Sequence, residues 1–210
     1  MSAYRLHCVG ESGNAYKVAL MLEFCEYEWE PVFVDFFGGE TRSAAYRSEI
    51  NPFGEVPVLE IEGERIAQSG AILTHLAERS GKFGGQDEKQ RLAILGWLLF
   101  DNHKFTSYYA TLRWMVGLMK TGDPAVIDFL TKRALSAFSI VDKHLANRSF
   151  LVGDELTIAD LSLVGYQYYE EDTGIDHSAF PNIQAWKRRI ASLPRWKHPY
   201  DLMPRGFKGG

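Results

Sequence analysis

The segment Asn51-Pro52-Phe53-Gly54-Glu55-Val56-Pro57-Val58-Leu59 decides how the first part of the chain is interpreted. It begins as a polar turn with proline and glycine and then becomes apolar, with Pro57 at the point of change. Proline is tolerated at the start of a strand, because its missing N–H removes no central ladder hydrogen bond there. The segment therefore predicts a loop that leads into a strand over 56–61.

Strand-like and helix-like stretches alternate on both sides of this segment, as far as about residue 81. Their order is strand, helix, strand, helix, strand, strand, helix, which defines an α/β first domain over residues 1–80. Gly81 stands where a helix typically ends. The hydrophobic periodicity predicts strands over 4–9, 29–36, 56–61 and 65–67, and helices over 15–24, 40–50 and 69–79.

After a short glycine-rich linker over 81–87, helical periodicity predicts an all-helical domain over 88–210. No proline precedes Pro124 in this part of the chain, so residues 88–119 can form one long helix. Asp123 is a good N-cap for the next helix, and proline suits the first helical position because no intrahelical partner is needed there. Two further helices are predicted over 158–169 and 181–191.

The composition restricts the function further. The 210 residues are 46% hydrophobic, enough for a sizeable core, and the formal net charge of -4 gives no electrostatic reason to expect a nucleic-acid partner. Charged residues interrupt every apolar run, so no membrane span is predicted. The six histidines show no ligand spacing, so we expect no metal site. The chain start lacks a signal-peptide pattern, which favours a cytoplasmic protein.

Two loops of the first domain place polar residues beside helix starts. In Gly10-Glu11-Ser12-Gly13-Asn14, which joins the first strand to the first helix, Ser12 either caps the helix or offers its hydroxyl to a ligand. In the other loop, Gln68 precedes Ser69, which is a good N-cap for the third helix. The free amides and the positive dipole end of a helix favour a bound carboxylate.

These motifs, in this order, resemble those of the glutathione transferase family. In the second domain, the segment with Thr157 and Asp160 also resembles a motif of the family. Thr157 and Asp160 are predicted to form a capping box in which aspartate replaces the glutamate that is usual in capping boxes. The resemblance implies a thioredoxin-like N-terminal domain of βαβαββα order and an all-α C-terminal domain. It rests on the segments 10–18, 51–59, 68–73, 153–160 and 180–186.

The turn that contains Ser12 is similar to that of the serine-type classes, theta-like or related bacterial ones. There a serine hydroxyl donates a hydrogen bond to the glutathione sulfur, and some bacterial relatives use an asparagine, which would be Asn14 here. A free thiol has a pKa of about 8.5, so it is mostly protonated at neutral pH. A hydrogen bond to the thiolate and a nearby helix N-terminus both lower that pKa.

The resemblance also implies how the rest of the tripeptide is held. The bond before Pro57 is cis in the family, which presents the backbone of Val56 to the cysteinyl part of glutathione. Gln68 and Ser69 hold the glutamyl end. Glu55 stands near the glycine end, where many relatives have lysine or glutamine.

An acid at position 55 would repel the glycine carboxylate if it were close. Either Glu55 points away or another base compensates for it. Arg42, Arg47 and Lys17 are the three possible compensators, and the sequence does not choose between them.

The sequence lacks the tyrosine that other classes of the family use, since Val9 occupies the corresponding end of the first strand. Cys8 lies within that strand, and Cys25 lies at the far end of the first helix. Both are interpreted as buried, inert thiols rather than as a reactive cysteine.

In the family, a second substrate binds between the sulfur and the long helix of the helical domain. An aromatic, mostly apolar pocket suits an organic electrophile, although each of these residues could equally be core or subunit packing. Asp101 could instead reach across a dimer interface to the glutamyl amine. The predicted pocket residues are Phe105, Tyr108, Tyr109, Leu112 and Trp114.

The preferred hypothesis is therefore an enzyme that activates glutathione as a thiolate and conjugates it to a small hydrophobic electrophile, acting as a homodimer without a metal. A second hypothesis keeps the glutathione site but makes the protein a glutathione-dependent disulfide or peroxide reductase. A third makes it a non-catalytic binding or assembly module with the same fold.

Overall fold

The computed structural model describes residues 4–169 and 171–207 and divides into two compact units. The first unit contains residues 4–82 together with 194–207, and the second contains residues 83–193. The sequence assigned everything after residue 88 to the helical domain. The contacts place the last part of the chain with the first unit instead, because this segment packs on the first helix and on the turn before it.

The first unit is built on a four-stranded sheet with the order β2-β1-β3-β4. Its strands are β1 (Tyr4–Cys8), β2 (Trp29–Phe33), β3 (Val58–Ile61) and β4 (Glu64–Ala67). The pair β1–β2 is parallel, while β1–β3 and β3–β4 are antiparallel. A parallel pair needs a crossover connection, and the first helix provides it.

Three helices complete the predicted order: α1 (Gly13–Phe24), α2 (Ala44–Glu49) and α3 (Ser69–Ser80). Gly81 follows α3 with a φ of 68°, so the predicted helix end is correct. The helices α1 and α3 pack on each other, and Leu6, Leu20 and Ile72 are fully buried. The βαβαββα order of a thioredoxin-like domain is confirmed.

The C-terminal segment of the first unit contains a helix that the sequence analysis missed, α9 (Pro199–Leu202). Four residues are too short to show a periodic pattern. Lys197, just before this helix, contacts α1. The Tyr16 hydroxyl donates to the carbonyl oxygen of Lys197 over 2.9 Å, and Lys197 Nζ lies 3.0 Å from Glu23 Oε2.

The second unit contains five α-helices among its described residues. The predicted helix over 88–119 is continuous to Leu118, but two π-helical segments, Asp101–Phe105 and Arg113–Leu118, interrupt its α-helical geometry. A π-helical turn accommodates an extra residue, and hydrophobic spacing does not encode it. The α-helices are α4 (Glu88–Phe100), α5 (Thr106–Leu112), α6 (Pro124–Leu145), α7 (Ile158–Val164) and α8 (Pro181–Ala191).

Two predicted helix caps are present in this unit. The Asp123 side chain accepts the Ala125 amide at the start of α6. At the start of α7, Thr157 and Asp160 form the predicted capping box. The helix α7 ends at Val164, earlier than predicted. In the part of the chain that the structure describes, no helix is long and apolar enough to cross a bilayer.

Candidate functional site

Three loops meet at one edge of the sheet. His7 of β1 pairs with Val58 of β3, and Val58 pairs with Ala67 of β4. The antiparallel pairing places the carboxyl end of β1, the beginning of β3 and the end of β4 side by side. Consequently the turn after β1, the residues just before β3 and the start of α3 lie at the same edge.

The turn after β1 presents Ser12 at the N-terminus of α1. Ser12 is the N-cap, and its Oγ accepts the Ala15 amide over 3.2 Å. Its own amide donates to the carbonyl oxygen of Val9 over 3.0 Å. A hydroxyl that accepts one hydrogen bond still has its proton to donate. Capping and a hydrogen bond to a ligand are therefore compatible at Ser12.

Asn14 lies in the first turn of the same helix. Its Oδ1 is buried, and none of the residues at 4–169 and 171–207 donates a hydrogen bond to it. The assignment of oxygen and nitrogen in an amide is a choice between two orientations. Asn14 thus has an unused hydrogen-bonding group beside Ser12, and it stays an alternative partner for a ligand at this turn.

The Val56–Pro57 peptide bond is cis, as the resemblance implied. The strand β3 begins only at Val58, so the backbone groups of Val56 lie outside the strand ladder. Two hydrogen bonds fix the loop before Pro57. The Asn51 side-chain amide and the Tyr46 hydroxyl each donate to the carbonyl oxygen of Glu55 over 3.0 Å.

A small hydrophobic cluster links this loop to the turn after β1. Val9, Val34, Tyr46 and Val56 are buried together, and Phe37 packs against them with two further partly buried residues. Val9 precedes the Ser12 turn and Val56 precedes Pro57. The two loops are therefore joined by this buried cluster.

The start of α3 differs from the prediction in one respect. Ser69 is the first residue of the helix and not its N-cap; Gln68 is in the cap position and makes no side-chain capping bond. The prediction missed this because Gln68 has a φ of 70°, which is rare for a residue with a side chain. The first-turn amides of this twelve-residue helix are thus not capped by a side chain from the cap position.

The side chain of Gln68 reaches Glu55 instead. Its Nε2 donates to Glu55 Oε2 over 2.9 Å. The carboxylate of Glu55 is therefore directed toward the start of α3. This pair was not predicted, because the two residues belong to different loops and no sequence pattern joins them.

The three possible compensating bases are placed differently. Lys17 is fully buried in α1, so its side chain is not offered to a surface ligand. Arg42 and Arg47 are exposed. Arg47 lies beside the predicted loop, since a Cβ added at Gly54 would be 2.9 Å from its Nη2.

Both cysteines are buried in the first unit, as predicted. Burial raises the pKa of the Cys8 thiol to about 12 and also raises the pKa of Cys25. A thiol that stays protonated is a poor nucleophile. Among the described residues, no group of three histidine, cysteine, aspartate or glutamate side chains could hold a metal ion.

The predicted pocket residues of the second unit divide into two sets. Phe105, Tyr109 and Leu112 lie in the interior, where Tyr109 packs on Phe138 with ring centroids 5.1 Å apart. Burial raises the pKa of Tyr109 to about 12. Tyr108 and Trp114 are partly exposed, so they are the two predicted residues whose side chains present surface to a ligand. Helical spacing alone did not separate the two sets.

Asp101 does not take the place that was considered for it at a dimer interface. It is only 1% exposed, and its two carboxylate oxygens accept hydrogen bonds from the hydroxyls of Thr106 and Ser162. A carboxylate held in this way inside the helical unit is a structural group.

Similarity to known proteins agrees with this arrangement. The profile of the glutathione S-transferase N-terminal domain matches residues 3–78, and that of the C-terminal domain matches residues 105–194. A maleylacetoacetate isomerase from Rhizobium meliloti (strain 1021) is 32% identical over 203 residues, which cover 92% of this chain and 94% of the relative. The disulfide-bond oxidoreductase YfcG of Escherichia coli (strain K12) is 27% identical, with 86% and 87% covered.

Among solved structures, a glutathione S-transferase from Pseudomonas fluorescens Pf-5 matches with a TM-score of 0.89 at 33% identity, covering 94% of this chain and 99% of that one. The sheet order, the cis bond before Pro57 and the helical second unit are thus accompanied by sequence similarity along nearly the whole chain. The chain belongs to the glutathione S-transferase family.

Proposed function

We propose that this protein binds glutathione at the sheet edge formed by its three loops, activates it as a thiolate and conjugates it to a small hydrophobic electrophile. The observation that carries the proposal is the position of Ser12. Its hydroxyl stands at the N-terminus of a twelve-residue helix, at the same edge as Val56 and Ser69.

The main requirement of this reaction is that the protein stabilises the negatively charged sulfur of glutathione. The Ser12 hydroxyl donates to the thiolate while its oxygen keeps the Ala15 amide, and the positive end of α1 adds to the effect. Each unit by which the thiol pKa falls is worth about 1.4 kcal/mol. The thiol proton leaves to solvent and the sulfur attacks the electrophilic carbon. A leaving group such as chloride departs from that carbon with its bonding electrons, and no covalent enzyme intermediate forms.

The remaining contacts align the tripeptide. The backbone N–H and C=O of Val56 pair with the cysteinyl part, and the first-turn amides of α3, with Ser69, receive the glutamyl carboxylate. Because Gln68 draws Glu55 toward this end, the acid meets the glutamyl ammonium rather than the glycine carboxylate. Arg47, beside Gly54, is our choice for the glycine carboxylate.

A second candidate activity is glutathione-dependent reduction of disulfides or peroxides. Two observations favour it. The Asn14 amide has an unpartnered buried atom beside the proposed sulfur position, where the flipped amide would place its N–H₂ as a donor, and the chain is similar to a disulfide-bond oxidoreductase. In this activity the glutathione thiolate would attack a disulfide sulfur instead of a carbon, breaking the S–S bond and releasing one thiolate. A second glutathione would then release the other thiolate and leave as oxidised glutathione.

Calorimetry with glutathione followed by two assays tests these proposals. We expect binding at micromolar to millimolar glutathione and turnover of a chlorinated dinitroaromatic that exceeds reduction of a hydroxyethyl disulfide. Faster disulfide reduction would favour the second candidate. Binding without turnover in either assay would favour the non-catalytic module, and no heat at millimolar glutathione would contradict the site itself.

We also propose that the protein is a homodimer. Leu92, Leu95 and Leu99 are spaced by three and four residues on one face of α4, and the three residues are 62%, 49% and 63% exposed. Such an apolar strip on the surface of a monomer usually marks an interface. A two-fold axis would let the strip contact its own copy.

Replacing Leu95 by glutamate is expected to shift the protein from dimer to monomer in sedimentation equilibrium, because a charge would be desolvated at the interface. The matched control is Met119→Glu, since Met119 is similarly exposed but lies beyond α5. A wild-type protein that sediments as a monomer would contradict the proposal, as would a dimer that persists in the Leu95→Glu variant.

A further inference from the structure

The C-terminal segment Met203–Phe207 lies directly against the turn that presents Ser12. The Gly10 amide donates to the carbonyl oxygen of Pro204 over 2.7 Å. One residue further along the turn, Glu11 accepts two backbone amides of the segment: Gly206 N–H at Oε2 and Phe207 N–H at Oε1, each over 3.0 Å. The turn is thus tied to the far end of the chain.

The contact is closely packed on both sides. A Cβ added at Gly206 would lie 2.7 Å from Val9 Cγ2, and one added at Gly10 would lie 3.0 Å from the carbonyl oxygen of Pro204. The ring of Phe207 packs on that of Phe37, with centroids 5.2 Å apart. At Gly10 two backbones approach too closely for a side chain, and at Gly206 a side chain would collide with that of Val9. The close fit therefore fixes the position of the segment against the turn.

The contact also compensates a charge. Glu11 is only 5% exposed, and besides the two amides it has the guanidinium of Arg205 at 3.8 Å. That guanidinium stacks on the ring of Tyr200 at 4.1 Å, which holds it in place. Hydrogen bonds from amides to a carboxylate are stronger than neutral ones and disperse its negative charge.

Glu11 directly precedes Ser12, so an uncompensated carboxylate here would be close to the sulfur of a bound thiolate. A like charge at short range disfavours ionisation. We propose that Glu11 is a positioning residue of the thiol site and that the segment Met203–Phe207 belongs to that site: it anchors the Ser12 turn and compensates the negative charge of Glu11. This inference rests on the proposed function.

A chain that ends at Met203 tests it, with a chain that ends at Phe207 as the matched control, because the control keeps every contact described above. The measurements are the pKa of enzyme-bound glutathione, from its ultraviolet thiolate absorbance, and the pH profile of kcat/KM. In the shorter chain we expect that pKa to rise by about one unit and kcat/KM at pH 6.5 to fall about tenfold. The KM for glutathione should change less than about threefold, since the tripeptide contacts stay.

Glu11→Gln, made in the shorter chain and in the full chain, distinguishes an effect of the Glu11 charge from a purely structural effect of the segment. In the shorter chain it should restore at least half of the lost pKa shift, because the repelling charge is gone. In the full chain it should not lower the pKa further, since the charge is already compensated. If the segment only stabilised the fold, Glu11→Gln would add to the damage in the shorter chain and would not reverse it.

If the shorter chain does not fold, Gly206→Val serves instead, because its side chain would collide with Val9 and displace the segment. An unchanged thiol pKa in a folded variant without the contact would overturn this inference while leaving the proposed function intact. A wild-type protein that binds no glutathione, or binds it without a thiolate signal, would overturn both.

Discussion

Replacing Ser12 with alanine is expected to raise the pKa of enzyme-bound glutathione by about one to two units and to slow conjugation at pH 6.5 by roughly 10- to 100-fold. The reason is the loss of the hydroxyl that we propose as the donor to the sulfur; in the structure its oxygen accepts the Ala15 amide. The rate loss should shrink as the pH rises, because glutathione then ionises without help. Stopped-flow measurement of the pH profile provides the check.

The capping role of Ser12 has to be separated from the chemical one, since losing an N-cap costs about 1 kcal/mol by itself. Ser12→Asp does this, because aspartate still accepts the Ala15 amide but brings a negative charge to the sulfur. If Ser12 only caps the helix, this variant behaves like the wild type. If it serves the sulfur, this variant is the slowest of the series.

Ser43→Ala is the matched control for stability. Ser43 caps α2 in the same way, with its side chain accepting the Tyr46 amide over 3.1 Å. Its loss should lower stability by a similar amount and leave the thiol pKa unchanged. An unaltered pH profile in Ser12→Ala would exclude Ser12 as the sulfur partner, and a shifted profile in Asn14→Ala would then assign that role to Asn14.

Replacing Asp160 with alanine is expected to lower the free energy of unfolding by about 3–5 kcal/mol. The fully buried Asp160 carboxylate accepts the amides of Leu151 and Thr157 and the indole N–H of Trp186, at 2.9–3.0 Å. Alanine would leave all three donors buried without a partner, and each such group costs about 1–3 kcal/mol. Urea unfolding followed by tryptophan fluorescence measures the loss.

The neighbouring acid Asp154 provides the control, because it lies in the same motif but is exposed. Asp154→Ala should change stability by less than about 0.5 kcal/mol. The stability loss of Asp160→Asn should fall between those of the other two variants. The asparagine oxygen can accept from the donors at one carboxylate position, but its N–H₂ would face the donors at the other. A loss below about 1 kcal/mol in Asp160→Ala would contradict this prediction. It would mean that the bonds of Asp160 to Leu151 and Trp186 contribute little to stability.

Several features that depend on neighbouring residues were predicted well. The strand and helix order of the first unit, the end of α3 at Gly81, the start of α6 behind Asp123 and the capping box at Thr157 and Asp160 all agree with the structure. Each depends on hydrophobic periodicity or on hydrogen bonds within a few residues, so the pattern of side chains contains the necessary information.

Features that depend on distant residues were not predicted. Helical spacing placed Tyr108 and Tyr109 in one pocket, but the structure exposes part of the first and buries the second. The pairing of Gln68 with Glu55, which accompanies the unusual backbone at Gln68, joins two loops. The bond between Glu11 and the amides of Gly206 and Phe207 joins the two ends of the chain.

The sequence by itself thus determined the order of strands and helices in the first unit, the end of α3 and the caps of α6 and α7. The tertiary structure alone decided which of those groups share a sheet edge, which aromatic rings reach the surface, and that the last residues brace the first turn. Periodicity and capping are set by short-range sterics and hydrogen bonds, whereas these contacts depend on strand register and close packing between segments far apart in the chain.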